Sequence, residues 1–191
     1  MQLKNSETVK NLAESFALEA TAGLKYRFLA ELFQQQGYYT VCREIKNIAE
    51  NETKHAEVFY NHIVNNGATG DLKCSLTAPF YEKTVENLLN LSITTEDEEA
   101  FGLYPAFADT AEKEGFFEIA KSFRLIAEVE KEHKAKFEFI LKNYREESLF
   151  SSPKPTFFTC SECGYKGTAD SAWEVCPLCG ATQGHVDLLL P

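Results

Sequence analysis

Two motifs of the same kind occur in the chain, each a glutamate followed three residues later by a histidine. The first is Glu52 with His55, and the second is Glu130 with His133. Residues three apart in a helix lie on the same face, so the carboxylate and imidazole of each pair can bind one metal ion. Two such pairs, each preceded by another acidic helix, predict a carboxylate-bridged di-iron or di-manganese site in a four-helix bundle.

Such a site also needs a carboxylate from each of the two remaining helices. In the first helix, Glu19 has apolar neighbours, among which an unpaired carboxylate is costly without a metal or other partner. Glu14 and Glu31 are alternatives with more polar neighbours. In the third helix, four consecutive acids leave several choices, among which Glu96 and Glu99 share a face.

Other residues near these motifs have simpler interpretations. Glu128 and Glu132 are interpreted as solvated charges on a helix face, and His62 as an ordinary surface or core histidine. Tyr26 and Tyr104 are either core aromatics or hydroxyl donors to the metal ligands. One glutamate–histidine pair alone is weak evidence for a metal, so the prediction depends on its recurrence in both halves.

A second metal site is predicted by four cysteines in the last quarter of the chain: Cys160, Cys163, Cys176 and Cys179. Two CxxC pairs at this spacing form a tetrahedral four-thiolate site that holds zinc or iron. The spacing leaves zinc and iron open, although a one-electron iron centre beside a di-iron site would serve as an electron relay. Cys42 and Cys74 belong to neither pair and are predicted to be inert thiols.

The elements that must position these residues follow from capping residues, helical periodicity and glycines. The first helix carries Leu12, Phe16 and Phe28 at helical spacing and ends at Gly37. An irregular connection over residues 68–81 separates two helix pairs, which is the order found in ferritin-like bundles. The four helices are predicted at about residues 6–36, 40–65, 82–114 and 116–145.

Composition changes near residue 150, where Pro153 and Pro155 indicate a stiff connection. We therefore predict a mainly α protein with a four-helix bundle over residues 1–148, a linker over 149–156 and a small cysteine-bound domain over 157–191. The net charge of −10 argues against nucleic acid or an anionic membrane as the main partner. No signal peptide or membrane-spanning stretch is evident, which favours a cytoplasmic protein with reduced cysteines.

The chain resembles the rubrerythrin family over nearly its whole length. The resemblance rests on Glu19, Tyr26, the two glutamate–histidine pairs, Glu96 and Glu99 before Tyr104-Pro105, Glu114-Gly115, and the CxxCGY and CPxCG cysteine motifs. Thr95 departs from it, because the family usually has glycine there, and we expect a one-residue insertion before Glu96.

The resemblance implies a ferritin-like bundle with a non-haem di-iron site, followed by a rubredoxin-like domain that holds one iron. It also implies a role for each site residue: terminal ligands (Glu19, Glu96), bridging ligands (Glu52, Glu130), a ligand of one iron (His133), two ligands that exchange at the other iron with oxidation state (His55, Glu99), hydrogen-bond donors to the carboxylates (Tyr26, Tyr104), and ligands of the lone iron (Cys160, Cys163, Cys176, Cys179).

Members of that family reduce hydrogen peroxide to water, with electrons from NAD(P)H passed through a reductase and often a small rubredoxin. They form dimers in which the rubredoxin centre of one chain lies near the di-iron site of the other. The expected function is therefore a peroxidase of oxidative-stress defence, with Tyr26, Tyr104 and Glu99 as catalytic residues. The alternatives are a dioxygen-dependent oxidase and a ferritin-like iron-binding or ferroxidase protein with a zinc-ribbon tail.

Overall fold

The computed structural model describes residues 2–191 and consists of a helical bundle followed by a small β domain. A short 3-10 turn, Leu3–Asn5, precedes α1 (Glu7–Gln35) and α2 (Tyr39–Asn65). After a long crossover come α3 (Val85–Glu98), a π-helical segment (Glu99–Leu103), α4 (Tyr104–Lys113) and α5 (Phe117–Arg145). The prediction of a ferritin-like bundle with a long crossover and a C-terminal four-cysteine domain is confirmed.

Local chemistry accounts for the starts of the helices in both halves. Ser6 caps α1, because its hydroxyl accepts a hydrogen bond from the Val9 N–H. Glu114, between α4 and α5, accepts two further N–H bonds from the start of α1. Thr84 caps α3 in the same way as Ser6 caps α1, accepting from the Asn87 N–H. The α1 start is thereby fixed to the junction of α4 and α5.

The third predicted helix is interrupted by the π segment, which the sequence did not indicate. Pro105 has no N–H, and its ring would clash with the carbonyl of Phe101 in a regular helix. The wider turn is closed by a bond from the Tyr104 N–H to the Glu99 carbonyl, five residues back. A π turn accommodates one extra residue, here within Glu99–Leu103. The one-residue insertion expected before Glu96 stays a prediction.

The crossover between the helix pairs contains no helix or strand over residues 68–84. Among the hydrogen bonds of the described chain, none involves residues 69–81. The two halves are held together by packing of α1 against α3 and α4, and of α2 against α5.

Two separate hydrophobic cores fill the bundle. The first surrounds Phe33, Ile45 and Phe137 near the α1–α2 turn. The second surrounds Phe59 and Phe123 at the opposite end. Along α1, α2 and α5, the acidic and histidine residues predicted to bind metal lie between the residues of these cores. The polar site is therefore closed off by apolar layers above and below.

The C-terminal domain is built on an antiparallel pair, β1 (Ser151–Thr159) and β2 (Lys166–Ser171). Residues 151–155, interpreted as linker from sequence, form the first half of β1. The register is irregular between Ser151 and Thr156, where two prolines cannot donate ladder hydrogen bonds. The structure thus has a short connection after α5 and a strand in place of a free linker.

This domain packs on the α1–α2 end of the bundle. Phe158, Ala172 and Val186 belong to the same buried cluster as the first core of the bundle. The Thr40 hydroxyl donates to the Val186 carbonyl at 2.6 Å, and the rings of Tyr39 and His185 stack at 4.2 Å. The two parts of the chain therefore share one hydrophobic core.

No helix within residues 2–191 combines the length and the apolar character that crossing a membrane requires.

Candidate metal centres

Five carboxylates and two imidazoles meet between the two hydrophobic cores. None of these seven residues is more than 9% exposed. Each of α1, α2, α3 and α5 contributes, so the four main helices all have to be in place for the cluster to form. The members are Glu19, Glu52, His55, Glu96, Glu99 at the start of the π segment, Glu130 and His133.

The ligand atoms converge on two positions that share two residues. One group is Glu19, Glu52, His55 and Glu130, and the other is Glu52, Glu96, Glu130 and His133. Within each group, one donor atom per residue lies within 4.8 Å of all the others. Glu52 and Glu130 belong to both groups, as carboxylates that bridge two cations must. Glu99 is buried nearby but belongs to neither group.

Many of these donor atoms are buried without a hydrogen-bond partner. Of nine such side-chain atoms in residues 2–191, seven belong to this cluster. His133 Nδ1 lies 3.0 Å from Glu52 Oε1 and 2.8 Å from Glu130 Oε2, yet it makes no hydrogen bond. Unpaired buried oxygens and nitrogens that face one another are costly, and a bound cation removes that cost. The cluster therefore fits a pair of metal ions.

The protonation of the metal-free cluster reflects the same crowding. Burial raises the pKa of Glu19 well above its usual range, even though the His55 imidazole 3.6 Å away opposes the shift. Burial also raises the pKa of Glu96 to about 8. Although burial opposes the shift, the neighbouring imidazoles of His133 and His55 lower the pKa of Glu52 to about 2. Burial lowers the pKa of His133, but the surrounding carboxylates outweigh it and raise that pKa to about 12. In the metal-free cluster, protons on these glutamates and histidines therefore take the place of the positive charge of bound cations.

Two buried tyrosines donate hydrogen bonds to carboxylates of the cluster across the halves of the bundle. The Tyr26 hydroxyl, from the first half, donates to Glu96 in the second half. The Tyr104 hydroxyl, from the second half, donates to Glu19 in the first. Burial, followed by the charge of the bonded glutamate, raises both tyrosine pKa values well above their usual range. Both phenols therefore remain protonated and hold the carboxylates in position.

Asn51 contacts the site and was not predicted from the sequence. Its side-chain amide lies 3.2 Å from His133 Nε2. The atom nearest the ring is Nδ2. Flipping the amide would turn its oxygen towards the ring, so that Nε2–H donates to Asn51 and Nδ1 keeps its lone pair for a metal. Asn51 directly precedes Glu52, but a lone asparagine in a polar helix gives no signal of such a role.

The residues set aside in the sequence lie away from the cluster. Glu31 is exposed and pairs with Lys83, while Glu128 is exposed and pairs with Lys131. Glu132 is exposed, and His62 contacts the Ser122 hydroxyl at 2.8 Å. Of the remaining alternatives, Glu14 is half-buried outside both ligand groups, Cys42 is buried and Cys74 exposed.

The four predicted cysteines form a second site in the C-terminal domain. Their sulfur atoms all lie within 4.8 Å of one another, with Cys160–Cys179 at 3.8 Å and Cys163–Cys176 at 3.7 Å. A tetrahedron with metal–sulfur bonds of about 2.3 Å has edges of about 3.8 Å. The spacing therefore fits one tetrahedral metal ion and is far too long for disulfides.

The backbone around these cysteines is shaped to hold thiolates. Gly164 and Gly180, directly after the two CxxC pairs, have φ of +72° and +80°, which side chains other than glycine adopt with difficulty. Although burial opposes it, N–H groups of Cys179 and Leu178 lower the pKa of Cys176 to about 7. Both glycine turns thus let backbone N–H groups approach the sulfur atoms.

The C-terminal domain docks at the α1–α2 turn, away from the level of the carboxylates. The C-terminal domain contacts the bundle at Gly37–Tyr39, whereas Glu19 and Glu52 lie deep in α1 and α2. At about 1.5 Å of rise per helical residue, the contact at Tyr39 lies roughly 20 Å along α2 from the level of Glu52.

Comparisons with known proteins agree with this architecture. A family model described as rubrerythrin matches residues 10–84 and 87–162. The chain is 36% identical over 185 residues to rubrerythrin of Porphyromonas gingivalis, covering 97% of this chain and 91% of that protein. It is 35% identical over 191 residues to rubrerythrin-1 of Clostridium acetobutylicum, covering 98% and 96%.

Solved structures give the same fold. A mixed-valence structure of nigerythrin superposes with a TM-score of 0.64 at 22% identity, covering 96% of this chain and 90% of that one. A Desulfovibrio desulfuricans bacterioferritin, whose structure concerns its di-iron site in different catalytic states, gives a TM-score of 0.66 at 21% identity over 73% and 81%.

The donor sets described above fit two non-haem irons in the bundle and one iron, or a zinc ion, bound by four cysteines. Together with the match along nearly the whole sequence, they make the protein a di-iron oxidoreductase associated with oxidative stress. The chain therefore belongs to the rubrerythrin family.

Proposed function

We propose that this protein is a peroxidase that reduces hydrogen peroxide to water at the bundle centre. Its electrons would be relayed through the iron bound by the four cysteines. The observation that carries this proposal is the pair of four-residue ligand groups sharing Glu52 and Glu130, in the same chain as a tetrahedral set of thiolates. A dimetal site alone suits storage or oxidation of iron, whereas the thiolate site adds a one-electron carrier.

Reduction of hydrogen peroxide breaks the O–O bond and consumes two electrons and two protons. When bound, the ferrous pair supplies the two electrons, and its charge stabilises the hydroxides that develop. Glu52 and Glu130 would hold the two metal positions close together, with Glu19 and Glu96 as the terminal ligands and His55 and His133 as the nitrogen ligands. Tyr26 and Tyr104 would keep the terminal carboxylates oriented through their hydrogen bonds.

We propose that Glu99 is the residue that changes its role during the cycle. It is buried beside the cluster, it stands outside both ligand groups, and its Oε1 has no hydrogen-bond partner. His55, in contrast, is a member of the first ligand group. Exchange of His55 for Glu99 would add an anionic ligand, which favours the ferric state, and the free carboxyl can also transfer a proton.

The electron relay would operate between two chains of a homodimer. Within one chain, the Tyr39 contact of the C-terminal domain lies roughly 20 Å along α2 from Glu52, and electron tunnelling falls exponentially with distance. A second copy arranged head to tail would bring its thiolate site nearer. The proposed electron source is NAD(P)H through a separate rubredoxin reductase or a small rubredoxin, in the reducing cytoplasm, where free thiolates persist.

Stopped-flow absorbance on anaerobically reduced, iron-loaded protein tests the proposal. Ferric iron bound by four thiolates is coloured, whereas zinc is not. We expect colour to return rapidly on mixing with hydrogen peroxide and more slowly with air-saturated buffer. Faster return of colour with dioxygen would indicate an oxidase. A C-terminal domain without colour at any stage would contradict the proposed electron relay. Iron uptake far beyond the predicted sites would indicate storage.

The role of Glu99 has a separate test. Glu99→Ala is expected to retain iron binding while slowing repeated turnover with peroxide, because the anionic ligand of the oxidised state is lost. Glu128→Ala, which removes an exposed carboxylate, serves as the control. Unchanged turnover in Glu99→Ala would contradict the proposed exchange.

A further inference from the structure

A groove with a volume of about 840 Å³ lies between α1, α3 and the crossover. Its lining includes the buried Tyr26 and Glu99, so it extends from the surface to the edge of the metal cluster. Hydrogen peroxide is little larger than water, which occupies about 30 Å³ in the liquid. The groove instead has the size of a pocket for an organic molecule, which is typically about 300 to 1,000 Å³.

The walls of the groove are partly apolar. Leu18 of α1, Leu88 and Leu91 of α3, and Leu76 and Pro79 of the crossover supply its apolar surface. An alkyl or aryl group buried against such side chains gains binding free energy in proportion to the apolar area removed from water.

The polar groups of the groove favour an uncharged ligand. Glu14 and Glu98 line it together with the inner Glu99, against a single cation, Lys25. Three carboxylates against one ammonium disfavour an organic anion. The buried Oε1 of Glu99 has no partner among the described residues, so it is free to accept a hydrogen bond from a hydroxyl or hydroperoxide group.

We propose that this groove binds uncharged organic hydroperoxides and brings their O–O group to the metal cluster. This inference rests on the proposed peroxidase function and extends it to a second substrate class. The hydroperoxide would place its apolar group against the leucines and its O–OH group near Glu99. Its O–O bond breaks, two electrons from the bound ferrous pair and two protons from solvent are consumed, and one alcohol and one water are released. The electrons are replaced through the four-cysteine iron.

Steady-state turnover of cumene hydroperoxide and of hydrogen peroxide by the iron-loaded full chain, with an excess of electron donor, tests the inference. Thr21 and Thr94 line opposite walls of the groove. Thr21→Trp and Thr94→Trp are expected to lower the ratio of kcat/KM for cumene hydroperoxide to that for hydrogen peroxide by about tenfold, because an indole fills the space needed by the aryl group.

Thr110→Trp is the matched control. Thr110 lies on α4 outside the groove, and its hydroxyl bonds to the carbonyl four residues back, as those of Thr21 and Thr94 do. The local hydrogen bond lost is therefore the same in all three variants, and Thr110→Trp is expected to leave the ratio unchanged. Two groove variants on different helices allow the test to proceed if one of them folds poorly.

A binding measurement provides a second readout that does not depend on turnover. Saturation-transfer NMR on the zinc-loaded full chain would detect cumyl alcohol, the stable reduction product, and the signal is expected to be lost in Thr21→Trp. Turnover of hydrogen peroxide without that of cumene hydroperoxide would overturn this inference alone and leave the proposed function standing. A ratio equally lowered in Thr110→Trp would also overturn it. Absence of turnover with both peroxides would overturn the inference and the proposed function together.

Discussion

Gly184→Ala should separate the C-terminal domain from the bundle. A Cβ atom added at Gly184 would lie 1.7 Å from the carbonyl oxygen of Gly37, whereas real Cβ contacts essentially never fall below 3.0 Å. The obstacle is backbone on both sides, so no side-chain rotation relieves it. The two backbones must move apart by at least the difference of 1.3 Å between those distances.

The structure gives the cost of that movement. Thr40 Oγ1 donates to the Val186 carbonyl at 2.6 Å, and an additional 1.3 Å takes this pair beyond hydrogen-bonding distance. A buried hydrogen bond contributes about 1 kcal/mol. Loss of the Tyr39–His185 ring contact adds about 0.5 to 1 kcal/mol. The exposed Arg43–Asp187 ion pair adds little. Docking should weaken by about 2 kcal/mol, which is about 30-fold in the equilibrium between docked and undocked domains.

Urea unfolding of the zinc-loaded protein, followed by two probes, measures this effect. Trp173 is the only tryptophan and reports the C-terminal domain, while circular dichroism at the helical wavelength reports the bundle. The shared core predicts coincident transitions in the unmodified protein. In Gly184→Ala the Trp173 transition should move to lower urea. Gly102→Ala, whose added Cβ meets nothing within 4 Å, is the control. Coincident, unshifted transitions in Gly184→Ala would refute the reasoning.

Three further outcomes follow from the structure. Phe123→Ala, which empties a fully buried position, should lower the free energy of unfolding by about 3 to 5 kcal/mol in the urea titration. Phe117→Ala, at a residue 65% exposed, should change that free energy by less than about 0.5 kcal/mol in the same titration. Although its slight burial opposes the shift, hydrogen bonds from the start of α1 lower the pKa of Glu114. Its stabilising effect is therefore present above the unfolded-state pKa of about 4.3 and lost as pH falls through the lower folded pKa. Glu114→Gln should accordingly cost about 1 kcal/mol at neutral pH, and the difference from the unmodified protein should shrink in acid; a difference independent of pH would contradict this. Cys176→Ser should abolish the visible absorbance of the ferric four-cysteine site and lower the unfolding midpoint of its domain. The control Cys42→Ser should retain the absorbance. Colour retained in Cys176→Ser would disprove that ligand set.

The ligand-bearing helices were predictable because their signals are local. Glutamate and histidine three residues apart identify one helix face, and the two CxxC pairs identify a tetrahedral site wherever they are brought together. Both halves of the bundle carry the first signal, so the four-helix architecture follows from it with the long crossover between them.

Other features depend on tertiary packing and left no such signal. The apolar repeat of α1 indicated a helix, yet Phe16, Leu24 and Phe28 lie on its exposed side at 38–52% exposure. The buried side instead carries Glu19 and Tyr26, because a metal site occupies the interior there. Likewise, Pro105 excludes a regular helical bond at its position, but it does not indicate that the helix continues through a π segment instead of ending.

The crossover also determines how the chain could be divided. No hydrogen bond of the described chain involves residues 69–81, so a single peptide cleavage there removes none. The break would leave Glu19, Glu52 and His55 on one fragment and Glu96, Glu99, Glu130 and His133 on the other. Neither fragment alone holds a complete ligand group of the bundle site, although the second keeps all four cysteines. The metal pair would then act as a cross-link between two polypeptides. Their reassembly would increase with metal concentration and could be followed by metal titration.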